Sequence, residues 1–255
     1  MTGRGRISVC MAAYNGERYI RDQLKSILVQ LSSTDEVIIV DDASHDRTLE
    51  IIEDLHDQRI HIIRHDVNKG VLAAFERAVR SASGQFIFLS DQDDLWAPDK
   101  VSEFLNAFED HPEAAVVVCD AALIDERSEV IAITNFARCP FRPGLIANLF
   151  RSRFIGCMMA FRSTLLPRIL PFPDGLDVLH DIWIGTNNSV SGGATWFIDK
   201  PLTLYRRHSG NVTGVSRLPR LRQVRLRVHL LWALASSRLR MWCTYQKLPS
   251  KGSRH

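Results

Sequence analysis

The chain of 255 residues lacks the glycine-rich loops that hold phosphate groups in many nucleotide-binding proteins. A dinucleotide-binding G-x-G-x-x-G motif would follow the first strand, but that position reads A-A-Y-N-G-E and contains one glycine. The G-x-x-x-x-G-K-[ST] motif is also missing. These absences argue against hydride transfer to NAD and indicate that any bound nucleotide is held by other groups.

Long apolar runs and paired cysteines are missing as well. The longest apolar run, Val228 to Ala235, is far shorter than the ~18 residues that a membrane-spanning helix needs. The five cysteines are odd in number and widely spaced, which is typical of reduced core residues in a cytosolic protein. The N-terminus passes into a strand-like run without the apolar region of a signal peptide. We therefore expect a cytoplasmic protein whose membrane contact, if any, is peripheral.

Acidic residues are absent from the last part of the chain, since no Asp or Glu follows Asp199. Of the 32 Lys and Arg, 13 lie at Lys200 or later, which leaves 19 bases against 29 acids before that point. The body therefore carries 19 − 29 = −10 and the tail +13. This asymmetry predicts that the tail meets an anionic surface, either a membrane or a nucleic acid.

The first 120 residues alternate between short apolar runs and segments with helical periodicity. The predicted strands are Ile7 to Met11, Val37 to Val40, Ile60 to Ile63, Phe86 to Leu89 and Ala115 to Cys119. Helical segments between them indicate βαβ units. We predict an α/β fold with a mixed, mainly parallel central sheet flanked by helices.

The pattern is weaker in the second half of the chain. The stretch from Asp120 to Arg153 gives no consistent periodicity. Beyond it we predict a strand from Phe154 to Phe161, a helix that begins at His180, and short strands at Trp196 to Ile198 and Leu202 to Tyr205.

Polar loops follow the predicted strands of the first half. In an open α/β sheet, ligands bind at the carboxyl ends of the strands. That rule places four loops along one edge of the sheet: Tyr14 to Glu17, Asp41 to Asp46, Asn68 to Gly70 and Ser90 to Trp96. The sequence therefore predicts a binding site at this edge.

One apolar strand runs directly into the carboxylates Asp91, Asp93 and Asp94, in the sequence F-I-F-L-S-D-Q-D-D-L-W. Neighbouring carboxylates raise each other's pKa, so we expect a bound cation to stabilise the ionised cluster. Oxygen ligands favour Mg²⁺ or Mn²⁺, ions that usually accompany diphosphates. The alternative is a solvated loop in which Asp94 or Asp99 caps the next helix.

Three further groups of residues are candidates for ligand binding or catalysis. Asp41 and Asp42 follow a buried strand and either contact a base and ribose or form an Asx turn. Asp181 precedes a helix and is either a general base or an acidic residue favoured by the helix dipole. His208, in Y-R-R-H, contacts phosphate or metal, or is a surface residue.

Seven motifs in order resemble the family 2 glycosyltransferases of GT-A fold, and most closely the bacterial branch described as rhamnosyltransferase-like. The motifs are S-V-C-M-A-A-Y-N-G-E, V-I-I-V-D-D-A-S-H-D-R-T, N-K-G, S-D-Q-D-D-L-W, F-I-G-C-M-M-A-F, H-D-I-W and Y-R-R-H-S-G-N. The resemblance covers roughly residues 6–214. It implies an inverting transfer from a nucleotide-diphosphate sugar.

The resemblance also implies a nucleotide pocket. Residues that match its base and ribose positions are Ala12, Tyr14, Glu17 and Asp42, with Asp41 nearby. Lys69 and Gly70 match the loop that approaches the nucleotide.

Catalytic and metal-binding roles follow from the same resemblance. Asp91, Gln92 and Asp93 match the D-x-D element, in which Asp93 would be the principal metal ligand and Asp91 would bind ribose or metal-bound water. Asp181 matches the catalytic base, and His208 matches a position that approaches the diphosphate or the metal.

The tail shows a separate pattern. From Leu218 to Trp242, apolar residues recur at spacings of three and four with arginines between them, which predicts a basic amphipathic helix. Such a helix either lies on an anionic membrane or docks on the catalytic domain, and the two alternatives need the same periodicity. Nucleic acid is an unlikely partner.

Together these features predict a metal-dependent, inverting glycosyltransferase that uses Mn²⁺ or Mg²⁺. It would move a single sugar from a dTDP- or UDP-sugar, with dTDP-rhamnose as one candidate, to a lipid-linked cell-surface glycan at the inner face of the cytoplasmic membrane. Residues 1–214 would form the GT-A domain, with a nucleotide-binding half (1–120) and an acceptor-binding half (121–214), followed by the tail (215–255). The alternatives are a UDP-hexose transferase of the same fold and a catalytically silent, membrane-associated interaction subunit.

Overall fold

The structure is a computed structural model that describes residues 4–134, 154–173, 180–208, 226 and 228–236. Nine strands of these residues form one sheet. They are β1 (Ile7–Ala13), β2 (Glu36–Asp41), β3 (Ile60–Arg64), β4 (Phe86–Ser90), β5 (Leu95–Trp96), β6 (Ala114–Ile124), β7 (Val130–Thr134), β8 (Met159–Arg162) and β9 (Ala194–Arg206). The helices are α1 (Ile20–Leu28), α2 (Thr48–Glu53), α3 (Val71–Ser81), α4 (Lys100–Asp110), α5 (Leu166–Ile169) and α6 (His180–Val190).

The first half of the chain forms a parallel sheet in the order β3-β2-β1-β4. All six residues of β2 are buried, as expected for a parallel strand covered on both faces. Helix α1 buries Ile20, Leu24 and Ile27, while α3 buries Phe75 and its neighbours. The predicted α/β fold with a mixed, mainly parallel sheet is confirmed.

The second half extends the same sheet in the order β4-β8-β6-β9-β5. Strand β8 is antiparallel to both β4 and β6, whereas β9 runs parallel to β6. The register of β6 against β9 shifts near Asp120, opposite Pro201. Because proline has no N–H to donate, an irregular ladder is expected there.

Two predictions for this half need correction. The strands predicted at Trp196 to Ile198 and Leu202 to Tyr205 are one strand, β9, since Pro201 only disturbs its register. The strand predicted from Phe154 begins at Met159, because Gly156–Met158 form a 3₁₀ turn. The short strand β5 and the hairpin strand β7 were not predicted.

Residues 228–236 are helical, and Leu230, Ala233 and Leu234 of this segment join the hydrophobic core. The rest of the helix predicted from Leu218 to Trp242 lies outside the described residues. Within the described part of the chain, no helix is long and apolar enough to cross a membrane.

Candidate active site

A cavity of about 670 Å³ opens at the carboxyl ends of β1, β2 and β4 and is closed on the other side by α6 and the end of β9. Most of the residues singled out from the sequence line it. They are Ala12, Tyr14, Asp42, Gly70, Asp91, Gln92, Asp93, Asp181 and His208. Residues that are more than 190 positions apart in the sequence, such as Ala12 and His208, thus line the same cavity.

The loop after β1 is fixed to the loop after β4 through Gln92. The Gln92 side chain accepts a hydrogen bond from the Tyr14 N–H (3.0 Å) and donates one to the Tyr14 carbonyl (2.9 Å). A Cβ atom at Gly16 would lie 2.2 Å from Gln92 Oε1, so this approach requires glycine. Gln92 therefore sets where Tyr14 stands at the cavity.

Asp42 organises the loop that precedes α3. Its carboxylate accepts hydrogen bonds from the backbone N–H of Lys69 (2.8 Å) and of Gly70 (2.7 Å), and it lies 2.7 Å from His65 Nδ1. Gly70 has φ +86°, a conformation that side-chain-bearing residues rarely adopt. The N-terminus of α3 is thereby held beside the cavity.

Three residues of the implied nucleotide pocket lie off the cavity wall: Glu17, Asp41 and Lys69. Asp41 is fully buried and accepts a hydrogen bond from the Ser44 N–H, while Glu17 accepts one from the Arg47 N–H. Lys69 reaches the site only through its backbone N–H on Asp42. These residues hold loops behind the wall.

The carboxylates after β4 form a cluster whose members differ in burial. Burial, and then the charges of Asp94, Asp93 and Asp181, raise the pKa of Asp91 well above its ordinary value. Burial and the Asp93 charge raise the pKa of Asp94 to about 7. Asp93 Oδ2 lies 2.7 Å from His208 Nε2.

The interpretation of Asp94 as a helix cap is wrong. Asp94 is buried, and its Oδ1 accepts the backbone N–H of Arg206 (2.9 Å). Asp99 does occupy the N-cap position of α4, but its side chain makes no capping hydrogen bond. The carboxylates point inward because the following residues, Leu95 and Trp96, pair with β9.

A buried lysine lies beneath the cluster. Lys100 Nζ donates to the Cys157 carbonyl (2.6 Å) and to Thr203 Oγ1 (2.8 Å) and stands 4.6 Å from the centre of the Trp96 ring. Burial lowers the pKa of Lys100, whereas the nearby carboxylates, including Asp94, act in the opposite direction. The Lys100 amino group thus lies near the carboxylate cluster, and burial opposes its charged form.

The residues present fit a divalent cation. Asp93 Oδ2 and His208 Nε2 lie 2.7 Å apart and supply an oxygen and an imidazole donor, of which the carboxylate oxygen suits Mn²⁺ or Mg²⁺. Potential ligand atoms of Asp91, Asp94 and Cys157 also lie within 4.8 Å of one another. Since buried like charges oppose each other's ionisation, a cation would relieve this repulsion.

Asp181 stands in the first turn of α6 and lines the same cavity. Its Oδ2 accepts the Gly156 N–H (2.9 Å), and its Oδ1 accepts the Ile182 N–H (2.6 Å). Burial raises the pKa of Asp181 to about 6, although these two hydrogen bonds act against the increase. The carboxylate is therefore ionised at neutral pH and yet more basic than an exposed aspartate, as a general base requires.

His180 was noted in the sequence only as the neighbour of Asp181. Its ring stacks on Phe75 with centroids 3.7 Å apart, and burial lowers its pKa to about 3, so the imidazole is neutral. A Cβ at Gly156 would lie 2.6 Å from His180 Nε2. Gly156 thus admits His180 and orients Asp181.

Other residues that line the cavity were not singled out from the sequence, although Asn15, Asn68, Ile155 and Tyr205 lie within the quoted motifs. They include Asn15, Arg18, Tyr19, Asn68, Val71, Ile155 and Tyr205. Tyr19 lies between the Arg206 guanidinium (4.5 Å) and the His208 ring (5.2 Å). Tyr19 comes shortly after the Y-N-G-E motif in the sequence, but a tyrosine at such a position is too common to predict this contact.

Comparison with known proteins identifies the family. The family described as "Glycosyl transferase family 2" matches residues 8–170, more than half of the chain. The fold and the site define a glycosyltransferase of GT-A type, and the chain belongs to glycosyl transferase family 2.

One curated relative is the UDP-Glc:alpha-D-GlcNAc-diphosphoundecaprenol beta-1,3-glucosyltransferase WfaP of Escherichia coli. It is 36% identical over 103 residues, which are 40% of this chain and 41% of WfaP. The chain spans about half the length of the curated relatives that it matches.

Two solved structures share the fold. TarS of S. aureus in complex with UDP-GlcNAc has a TM-score of 0.71 at 20% identity, covering 91% of this chain and 69% of TarS. The mannosyltransferase PcManGT of Pyrobaculum calidifontis, in complex with GDP-Man and Mn²⁺, has a TM-score of 0.58 at 20% identity and covers 99% of this chain and 77% of PcManGT.

Proposed function

We propose that the chain transfers one sugar from a nucleotide-diphosphate sugar to a hydroxyl group, with inversion at the anomeric carbon. The observation that carries this proposal is one cavity that is lined both by the buried, basic Asp181 and by the Asp93–His208 pair. A catalytic base and a place for a diphosphate-bound cation in the same cavity suit a displacement at a carbon bound there.

Asp181 acts as the general base. It takes the proton from the acceptor O–H while the acceptor oxygen forms its bond to the anomeric carbon. The bond from that carbon to the diphosphate oxygen breaks in the same step, and its electron pair leaves with the nucleoside diphosphate. The Gly156 and Ile182 N–H groups keep the carboxylate in place throughout.

Asp93 and His208 hold a Mn²⁺ or Mg²⁺ ion in this proposal, with Asp91 beside them. A bound divalent ion offsets the negative charge of the departing diphosphate. Asp42, Gly70 and Tyr14 line the part of the cavity assigned to base and ribose, and Gln92 positions Tyr14 from behind.

The donor and acceptor are proposed by analogy with relatives. The names of WfaP and of the TarS complex favour a UDP-sugar, and dTDP-rhamnose remains the alternative. The WfaP name also favours a lipid-linked acceptor, which would place the chain at the inner face of the cytoplasmic membrane as a peripheral protein. We assign nucleotide binding to residues 1–120 and acceptor binding to residues 121–214. The basic tail comprises residues 215–255.

Calorimetry tests the core of this proposal. UDP and dTDP are titrated into the chain with Mn²⁺ and again with a chelator, using the wild type, Asp93→Ala and, as a control, the exposed Asp99→Ala. We expect binding to require both Mn²⁺ and Asp93 and to survive in Asp99→Ala, and the tighter nucleotide identifies the donor class. A folded wild type that binds neither nucleotide with Mn²⁺ would instead be a silent interaction subunit.

A further inference from the structure

The helical segment 228–236 has two apolar faces. Leu230, Ala233 and Leu234 are buried in the core. On the opposite face Val228, Leu231 and Trp232 are 56%, 45% and 67% exposed, with Ala235 exposed beside them. Spacings of three and four residues put Val228, Leu231, Trp232 and Ala235 in one stripe of the helix.

We propose that this stripe, which we call the Trp232 face, inserts into the surface of an anionic phospholipid bilayer. Docking on the domain and contact with a membrane are then carried out by opposite faces of one helix. The proposal goes beyond sugar transfer, because it concerns where the chain is held and requires no donor.

The composition of the Trp232 face selects lipid over other partners. It carries a large aromatic and two branched aliphatic side chains, which are the groups that enter the boundary between headgroups and acyl chains. An exposed apolar cluster of this kind is unusual on a face that meets only water. Nucleic acid would require cations on this face.

Charge selects an anionic membrane. Seven arginines lie between positions 217 and 240, and no acidic residue follows Asp199. Basic residues near a membrane surface are attracted to anionic lipids. A second copy of the chain would bring two tails of +13 together, and this repulsion disfavours a dimer through the same face.

Sedimentation with vesicles tests the proposal. The full chain is mixed with phosphatidylglycerol–phosphatidylcholine vesicles or with pure phosphatidylcholine vesicles, and the partition coefficient is measured for the wild type and for the double variant Leu231→Gln/Trp232→Gln. The control is Val29→Gln, which replaces a still more exposed apolar residue elsewhere (80% exposed). We expect the double variant to lose at least tenfold in partitioning to anionic vesicles, and the control to match the wild type.

Several outcomes would overturn the proposal. Wild-type chain that stays in the supernatant, or a double variant that sediments as well as the wild type, excludes insertion of the Trp232 face. A dimer in light scattering that the double variant abolishes would assign the face to a second copy, and salt-sensitive DNA binding lost in the same variant would assign it to nucleic acid. Calorimetry with UDP on the double variant separates this result from the transfer reaction, since neither substituted residue lines the cavity.

Discussion

Two sets of aspartates follow two neighbouring strands and have opposite environments. The β2 pair, Asp41 and Asp42, is surrounded by donors: the N–H groups of Ser44, Lys69 and Gly70 all point at it. In the β4 cluster, which comprises Asp91, Asp93 and Asp94, burial and the neighbouring carboxylate charges raise the pKa values of Asp91 and Asp94.

The difference shows that an apolar strand ending in carboxylates does not by itself indicate a metal. Backbone N–H groups reach both oxygens of Asp42 and Oδ2 of Asp41, so the β2 pair shapes a loop. In the β4 cluster, burial and mutual repulsion raise two pKa values, so the cluster gains most from an added cation. Asp42 of the β2 pair and Asp91 and Asp93 of the β4 cluster line the same cavity. Asp42 holds a loop in place, whereas Asp91 and Asp93 are candidates for binding a cation.

The largest effect should come from Asp181, whose charge adds to the repulsion on Asp91. Asp181→Asn removes the proposed base, so we expect kcat to fall by about a thousandfold or more while UDP still binds, consistent with losses seen for general bases. Turnover assays and calorimetry measure the two effects, with exposed Asp199→Asn as the control. Normal turnover by Asp181→Asn would exclude its role as the base.

The same residue predicts two pH effects. Because the base must be deprotonated, kcat should rise with pH through about 6 and level off above it. The pKa of Asp181 in the folded state lies above its ordinary value of 3.8, so folding takes up a proton. The free energy of unfolding therefore falls as pH rises from 3.8 to about 6. Asp181→Asn removes this titration, so the free energy of unfolding should fall less in the variant than in the wild type as pH rises from 3.8 to about 6. A pH–rate profile and thermal melts test both signs.

A smaller effect is expected at the β2 pair. Asp42→Asn leaves one oxygen for the donors on Lys69, Gly70 and His65, so the loop before α3 loses part of its support. We expect UDP to bind about tenfold more weakly, and stability to fall by about 1–3 kcal/mol, the typical cost of an unmatched buried polar group. Unlike loss of Asp93, which should abolish binding, this change should leave UDP binding that is weaker and still requires Mn²⁺.

The neighbouring exposed aspartate provides the control for that measurement. Asp66→Asn removes a charge from the same loop without touching Asp42, and it should leave UDP affinity unchanged. If Asp42→Asn abolished UDP binding in the presence of Mn²⁺ as fully as Asp93→Ala does, the contrast between the two aspartate sets would be incorrect.

The smallest effect should appear at Gln92, which joins the loops of the β1 and β4 strands. Gln92→Leu removes both hydrogen bonds to Tyr14 at nearly constant volume. We expect KM for the donor to rise roughly threefold to tenfold with little change in kcat, corresponding to about 1 kcal/mol. Exposed Gln58→Leu serves as the control, and an unchanged KM in Gln92→Leu would show that Tyr14 needs no such support.

The sequence predicted most of the first half of the fold. Apolar runs such as Val37 to Val40 are fully buried parallel strands, and their periodicity differs clearly from that of the helices between them. The rule that ligands bind at the carboxyl ends of the strands then placed Asp42 and Asp93 at one cavity.

What escaped prediction depends on contacts between distant residues. Nothing local distinguishes Asp94, which binds the Arg206 N–H, from a helix cap. Asp41 and Asp42 are adjacent and identical, yet only Asp42 reaches the cavity, because successive side chains of a strand point to opposite faces. Gly156 looked like an ordinary residue in an apolar run, and its importance appears only when His180 and Asp181 are packed against it.

Lys100 gives the site a property that an exchangeable ion alone would not provide. A cation bound with the nucleotide would leave with it, whereas the Lys100 amino group is covalently part of α4. Its hydrogen bonds to the Cys157 carbonyl and to Thr203 Oγ1 tie the start of α4 to β9 and to the residue that follows Gly156. We therefore expect the loop between β4 and α4 to keep its arrangement whether or not a nucleotide is bound.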